Sequence, residues 1–166
     1  MHSLLRPAGT TGAVPVTFVT AKTYGAAKAK LKAPQQAYLD AVGFEPKAGK
    51  AVVVPDAKGA IAAVLFAVEA EDAPHRDPLL AGKLPGQLPP GLYRFANDPG
   101  DPERAALAWV TGQYRFSRYK KASAKPALLV VPDGVDGEAV SRAAAATELA
   151  RDLINTPAND LGPAEL

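Results

Sequence analysis

The 166-residue chain contains no cysteine, which excludes disulfides and every metal site built on thiolates. That absence is compatible with a reducing compartment. Histidine is nearly absent too: only His2 and His75 occur. There is no H-E-x-x-H pair, no G-x-S-x-G elbow and no Walker loop, so zincin, serine-hydrolase and P-loop chemistries lack their local signatures. No apolar run reaches the length of a membrane span. The opening "MHSLLRPAGTTG" has no apolar centre of signal-peptide length, so the expectation is a soluble, cytoplasmic protein.

Hydrophobic residues make up 48% and charged residues 22% of the chain, enough for a domain of this length to bury a core without covalent staples. The net charge of +2 conceals an asymmetry. Residues 1–50 carry seven Lys or Arg against Asp40 and Glu45, and residues 133–166 carry seven acids against Arg142 and Arg151. Two ordinary solvated faces of opposite sign account for this more simply than a nucleic-acid patch does.

Strand and helix signals alternate along the chain. "VPVTFVT" (14–20) alternates and is β-rich, with Pro15 suggesting an edge strand. "APQQAYLDAVGF" places Pro34 near a helix start, Ala37, Tyr38, Ala41 and Val42 on one face, and Gly43 as a stop. "KAVVVPD" predicts a short buried strand. "GAIAAVLFAVE" (59–69) suits either a strand or a buried helix, and the preceding "PDAKG" turn suggests a hairpin with "AVVV". Residues 72–90 are rich in Pro and Gly and predict a loop with one helical turn at "DPLLAGKL". "GLYRFA" predicts a strand. In "DPERAALAWVTGQYRF", Asp101 caps, Pro102 suits the first turn, and Glu103 favours the positive helix end. Leu107, Val110 and Tyr114 are spaced to face a core. "KPALLVVPD" predicts another buried strand. "DGEAVSRAAAATELARDLINT" is the longest helix, opened by Asp136 or Gly137 and stopped by Pro157. Its Ala143–Ala146 side would admit a close-packed backbone. The pattern predicts an α/β, mixed-sheet layered domain.

No catalytic constellation emerges. His2 is expected at a frayed terminus. His75 lies in "EDAPHRDP" beside Glu71, Asp72 and Asp77, where a solvated loop is a better reading than a cation site. "GTTG" (9–12) lacks a following helix and a lysine, so it predicts a plain turn. The stretch "YRFSRYKKASAK" interleaves Arg115, Arg118, Lys120, Lys121 and Lys125 with Tyr114, Phe116 and Tyr119, and contains no acid. Such interleaving suits nucleic acid by stacking and phosphate contact. A helix terminus with aromatic anchors and a charged loop accounts for it as well. Arg115, Arg118, Lys120 and Lys121 are therefore the candidate contact residues, for nucleic acid or for an interface.

The last nineteen residues, "ELARDLINTPANDLGPAEL", resemble the segment that leads into the catalytic domain of the leucyl aminopeptidase (cytosol aminopeptidase) family. That family has a helix ending in Arg-Asp-Leu-hydrophobic-Asn-Thr-Pro, then a small residue, Asn, a turn, Pro and an acidic-Leu pair. Arg151, Asp152, Leu153, Asn155, Thr156, Pro157, Asn159, Pro163, Glu165 and Leu166 fit it. Upstream, Gly112, Tyr114, Phe116, Tyr119 and Lys120 are similar to the family's Gly-containing helix followed by Tyr-x-Phe-x-x-Tyr-Lys. The specific likeness covers roughly the last third to two-fifths of the chain. The first hundred or so residues share only the general character.

The resemblance implies a macro-domain-like N-terminal α/β domain over residues 1–134, a linker helix over 135–156, and the truncated start of a catalytic domain over 157–166. In that family the catalytic domain holds two divalent metals (Zn or Mn) and carries an Asn-Thr-Asp-Ala-Glu-Gly-Arg signature, which is absent here. No residue of this chain therefore takes a metal, cofactor or catalytic role by matching. The implied function is a non-catalytic domain of a metal-dependent aminopeptidase, serving hexamer assembly and active-site access. Its partners would be the catalytic domain of the same polypeptide and further copies of the chain. Some bacterial relatives also act as DNA-binding regulators, so the alternative is a nucleic-acid-binding module using residues 115–125. A ligand pocket like that of ADP-ribose-binding macro domains is a third reading, without a phosphate-cradling loop to support it.

Overall fold

The computed structural model describes residues 1–119, 126–160 and 162. In chain order its elements are β1 (Leu5–Arg6), β2 (Val14–Val19), α1 (Tyr24–Ala29), α2 (Ala33–Ala41), β3 (Ala51–Pro55) and β4 (Ile61–Ala67). Two 3-10 turns follow, Leu80–Lys83 and Pro85–Gln87, and then β5 (Gly91–Phe95), α3 (Pro102–Thr111), β6 (Ala127–Val130) and α4 (Gly137–Asn155). The strands form one sheet in the order β1-β6-β5-β2-β4-β3. Only the β3–β4 pair is antiparallel; the other neighbours run parallel. This is the mixed-sheet α/β domain that the alternating signals predict.

The β3–β4 hairpin settles the ambiguous run 59–69 as a strand. Asp56 accepts hydrogen bonds through Oδ1 from the Lys58 and Ala60 amides, at 2.8 and 2.9 Å. Gly59 takes the left-handed conformation that closes the turn (φ 82°), a region glycine enters without strain. The register then sets Val53 opposite Val64 and Val52 opposite Leu65.

Period-two alternation divides the sheet into two apolar faces. Leu5, Val16, Phe18, Val64, Phe66, Tyr93 and Leu129 point to the larger core, where α3, α4 and the 3-10 turns cover them. Val54, Ala63 and Leu65 point the other way and pack with Leu39 of α2, and Tyr24, Leu31 and Phe44 enclose that smaller cluster. In the larger core Phe18 meets Phe66 and Phe95 edge-on, with ring centroids 6.0 and 5.0 Å apart. Trp109 meets Tyr93 and Phe95 at 5.8 and 6.1 Å.

Both long helices start as their sequences predict. The Asp101 side chain accepts from the Arg104 amide at 2.9 Å. The Asp136 side chain accepts from the Glu138 and Ala139 amides at 2.9 and 3.1 Å, and these bonds hold its carboxyl below the ordinary value. Two side-chain amides substitute for missing strand partners. Asn97 accepts from Phe18 N and donates to Phe18 O, at 2.8 and 3.0 Å. Gln113 does the same for Ala127, at 3.1 and 2.9 Å.

Four expectations need correction. Pro15 does not mark an edge: β2 lies between β5 and β4. The proline is tolerated because its register partner is Arg94 on β5, while pairing with β4 begins only at Val16. The face of α2 is also different. Ala37, Tyr38, Ala41 and Val42 lie on the exposed side, and the helix seats itself through Leu39, with Gln35 donating to the Pro55 carbonyl at 3.3 Å. Of Ala143–Ala146 only Ala144 is buried; it shares a stripe with Val140, and the helix docks on that stripe. His2 is not frayed. Its amide donates to Ser141 Oγ at 2.7 Å, and its Nε2 lies 3.2 Å from Glu148. The Leu4 amide donates to Nδ1, so Nε2 carries the hydrogen directed at Glu148. The first residues thus strap along α4.

Candidate functional site: the junction between α3 and α4

The basic, aromatic-interleaved stretch and the Arg-Asp-Leu-Ile-Asn-Thr-Pro segment are far apart in sequence but meet in space. α3 ends at Thr111, and Gly112 lets the chain turn away close to the Leu80–Lys83 turn. The carbonyls of a last helical turn lack intrahelical partners. Arg151, on α4, donates through Nη1 to the Thr111 carbonyl at 2.7 Å and meets that need. Its guanidinium also lies 5.4 Å from the centre of the Tyr114 ring, a cation–π distance. The Tyr114 hydroxyl donates to Asp152 Oδ1 at 2.6 Å and accepts from Asn155 Nδ2 at 3.3 Å.

A second set of contacts lies one turn further on. Thr156 Oγ1 donates to the Asp152 carbonyl at 2.7 Å. Arg118 reaches Thr156 Oγ1 and the Asp160 carbonyl at 3.5 and 3.4 Å, both long for hydrogen bonds. The Tyr119 hydroxyl donates to the Asp160 carboxylate. Phe116 and Tyr119 stack edge-on at 5.7 Å. Arg115 turns back to the Tyr114 carbonyl at 2.8 Å.

The electrostatics match this network. Tyr114 is pushed above the ordinary phenol value, first by desolvation and then by its bond to Asp152. Tyr119 is pushed up first by its bond to Asp160. Each phenol is thus held as the protonated donor to a carboxylate, as a structural clasp requires. A nucleophile or general base would need the opposite shift.

Of the candidate contact residues, Arg118 lies in the clasp, and Arg115 is tied to its neighbour's backbone. Lys120 and Lys121 lie outside the described residues, as do Lys125, Pro163, Glu165 and Leu166. The described part of the stretch, Tyr114–Tyr119, therefore has a role within the fold, and no observation favours nucleic acid over it. His75 is exposed. Among the described residues no group of three or more His, Asp or Glu could hold a metal ion. Sequence reasoning singled out both segments of the clasp but did not pair them. The available signal was complementary chemistry: Tyr and Arg in one segment, Asp, Asn and Arg in the other.

The outer side of α4 is apolar and uncovered. Leu149 is 61%, Leu153 37% and Ile154 83% exposed, as expected for a stripe beyond the one that docks. The clasp fixes the direction in which this stripe is presented.

Comparison with known proteins fits this geometry. The family model described as "M17 aminopeptidase, N-terminal domain" matches residues 14–132. No curated protein sequence matches the chain. Among solved structures, the cytosol aminopeptidase of Coxiella burnetii is 29% identical with a TM-score of 0.87, the match covering 99% of this chain and 36% of that one. The bottromycin maturation enzyme BotP is 27% identical with a TM-score of 0.58, over 92% of this chain and 35% of that one. BotP has also been solved in complex with Mn. A mutant of tomato leucine aminopeptidase is 16% identical with a TM-score of 0.63, over 97% of this chain and 40% of that one, and shows the fold alone. The chain thus spans well under half the length of these relatives. On the match over residues 14–132 the chain belongs to the M17 aminopeptidase family, as its N-terminal domain.

Proposed function

We propose that this domain is the non-catalytic partner of an M17 catalytic domain in one polypeptide, which removes N-terminal residues from peptides with the help of divalent metals. Residues 1–134 form the body, 135–156 the linker helix, and 157–166 the lead into the catalytic domain. The observation that carries the reading is the clasp. It fixes the angle of a helix whose outer stripe, Leu149, Leu153 and Ile154, has nothing to pack on within the described residues.

The role of the domain is mechanical: it holds the linker, offers surface for further copies in a homo-oligomer such as a hexamer, and limits access to the active sites. Support for a divalent metal in the whole protein is the Mn complex of BotP. The described residues of this domain provide no set of ligands for one. The cytosol aminopeptidase of Coxiella burnetii supports a cytosolic setting. No helix among the described residues is long and apolar enough to cross a membrane.

The purified chain is expected to release no product from leucine p-nitroanilide with Mn2+ or Zn2+ added, at any protein concentration. Product formation that scales with protein concentration, and persists in material freed of host aminopeptidases, would overturn the non-catalytic assignment.

A further inference from the structure

A cavity of about 480 Å3 opens beyond the carboxyl ends of β2 and β4. The sheet connections change sides here. β2 leads to α1 and α2 on the face of the smaller core, whereas β4 leads to the 3-10 turns on the face of the larger one. Crevices at such switch points are where open α/β sheets accept ligands. Phe18, Val68, Leu80 and Ala105 supply apolar lining, and Arg76 and Arg104 supply cationic groups.

Three acids also line the cavity, Glu69, Asp77 and Asp101, and all three are engaged locally. Glu69 accepts from the Asp77 amide at 3.0 Å. Asp77 accepts from the Leu79 amide at 2.9 Å. Asp101 caps α3 and pairs with Arg104 at 3.2 Å. Arg76 is different. It takes part in none of the hydrogen bonds, ion pairs or ring contacts found among the described residues, and its Nη2 lies 3.9 Å from where a Cβ on Gly100 would stand. An uncommitted guanidinium beside an apolar lining is complementary to a small anion with an apolar body.

We propose that this cavity binds an α-carboxylate carried on an apolar side chain, as in free leucine or at the C-terminus of a short peptide. Arg76 engages the carboxylate, and the side chain lies against Phe18, Val68 and Leu80. The inference rests on the cavity alone and does not require the aminopeptidase reading.

The test is a titration of the isotope-labelled chain followed by amide NMR shifts, with leucine, N-acetyl-leucine, leucinamide and inorganic phosphate as separate probes. N-acetyl-leucine is expected to shift the amides of Val68, Arg76, Gly100 and Asp101 with millimolar affinity. Leucinamide, which lacks the carboxylate, and the R76Q variant with N-acetyl-leucine are each expected to bind about tenfold more weakly, the loss of one charge-assisted hydrogen bond. Arg76 is exposed, so R76Q is expected to keep the wild-type melting temperature. Leucine binding more tightly than N-acetyl-leucine identifies a free amino acid as the ligand; equal binding identifies a peptide terminus. Absence of shifts at these amides, phosphate binding as tightly as N-acetyl-leucine, or unchanged affinity in R76Q would each overturn the proposal.

Discussion

Trp109→Ala is expected to destabilise the domain by about 3–5 kcal/mol, the range for removing a large aromatic side chain from a packed core. In a domain of this size that corresponds to a fall in melting temperature of roughly 10 °C. Trp109 is fully buried. It touches Tyr93 and Phe95, and through Phe95 it joins the Phe18–Phe66 pair, so one deletion opens a gap within the aromatic cluster and parts Tyr93 from the other rings. Its Nε1 also donates to the Ala127 carbonyl at 3.1 Å, which ties α3 to the start of β6. That carbonyl accepts a second bond, from Gln113 at 2.9 Å. Trp109→Phe therefore leaves no orphaned acceptor and should cost less, about 1–2 kcal/mol. Because Trp109 is the single tryptophan of the chain, urea unfolding is best followed by far-UV circular dichroism. An alanine variant within about 1 kcal/mol of wild type, the usual range for tolerated changes, would contradict this view of the core.

The second large effect is expected at Gly112. Its φ of −69° suits any residue, so space rather than conformation selects glycine here. A Cβ would stand 2.2 Å from the Gly82 carbonyl oxygen and 2.8 Å from Gly82 Cα, and neither backbone atom can swing aside as a side chain would. At Gly82, in turn, a Cβ would stand 2.8 Å from the Ala108 carbonyl oxygen. The two glycines let α3 and the Leu80–Lys83 turn touch backbone to backbone. Gly112→Ala should cost at least the upper end of the usual ~1–3 kcal/mol for overpacking, and Gly112→Val more. Gly25→Ala is the control: α1 has open space there, so a gain of roughly 0.5–1 kcal/mol is expected. Equal melting temperatures for Gly112→Ala and wild type would show that the helix and turn can separate at little cost.

What the sequence made legible follows from how local each signal is. The caps at Asp101 and Asp136 and the turn at Asp56–Gly59 act within a few residues, and the structure places them where the residues predict. β1 was not legible. Leu5–Arg6 is two residues long and exists only by pairing with Leu129–Val130, a partner more than a hundred positions away. α1 has no buried residue and no side-chain cap, so it carries neither a hydrophobic period nor a start signal. On α2 the apolar stripe Tyr38–Val42 drew attention to the wrong side, because Leu39 is the one residue of that helix buried in the smaller core. The junction was legible as two separate segments. Their pairing was not, because the Tyr114–Asp152 and Arg151–Thr111 bonds depend on α3 and α4 lying side by side.

What covers the outer stripe of α4 decides whether the clasped helix seats a catalytic domain. Hydroxyl-radical footprinting can compare this chain alone with a polypeptide in which an M17 catalytic domain follows it. Leu149 and Ile154 are expected to react readily in the chain alone and to be protected about tenfold or more in the longer polypeptide, as complete burial removes them from solvent. Buried Leu39 and Leu129 should be protected in both. If Leu149 and Ile154 react equally in the two proteins, the stripe does not seat the catalytic domain, and the role assigned to the clasped helix is wrong.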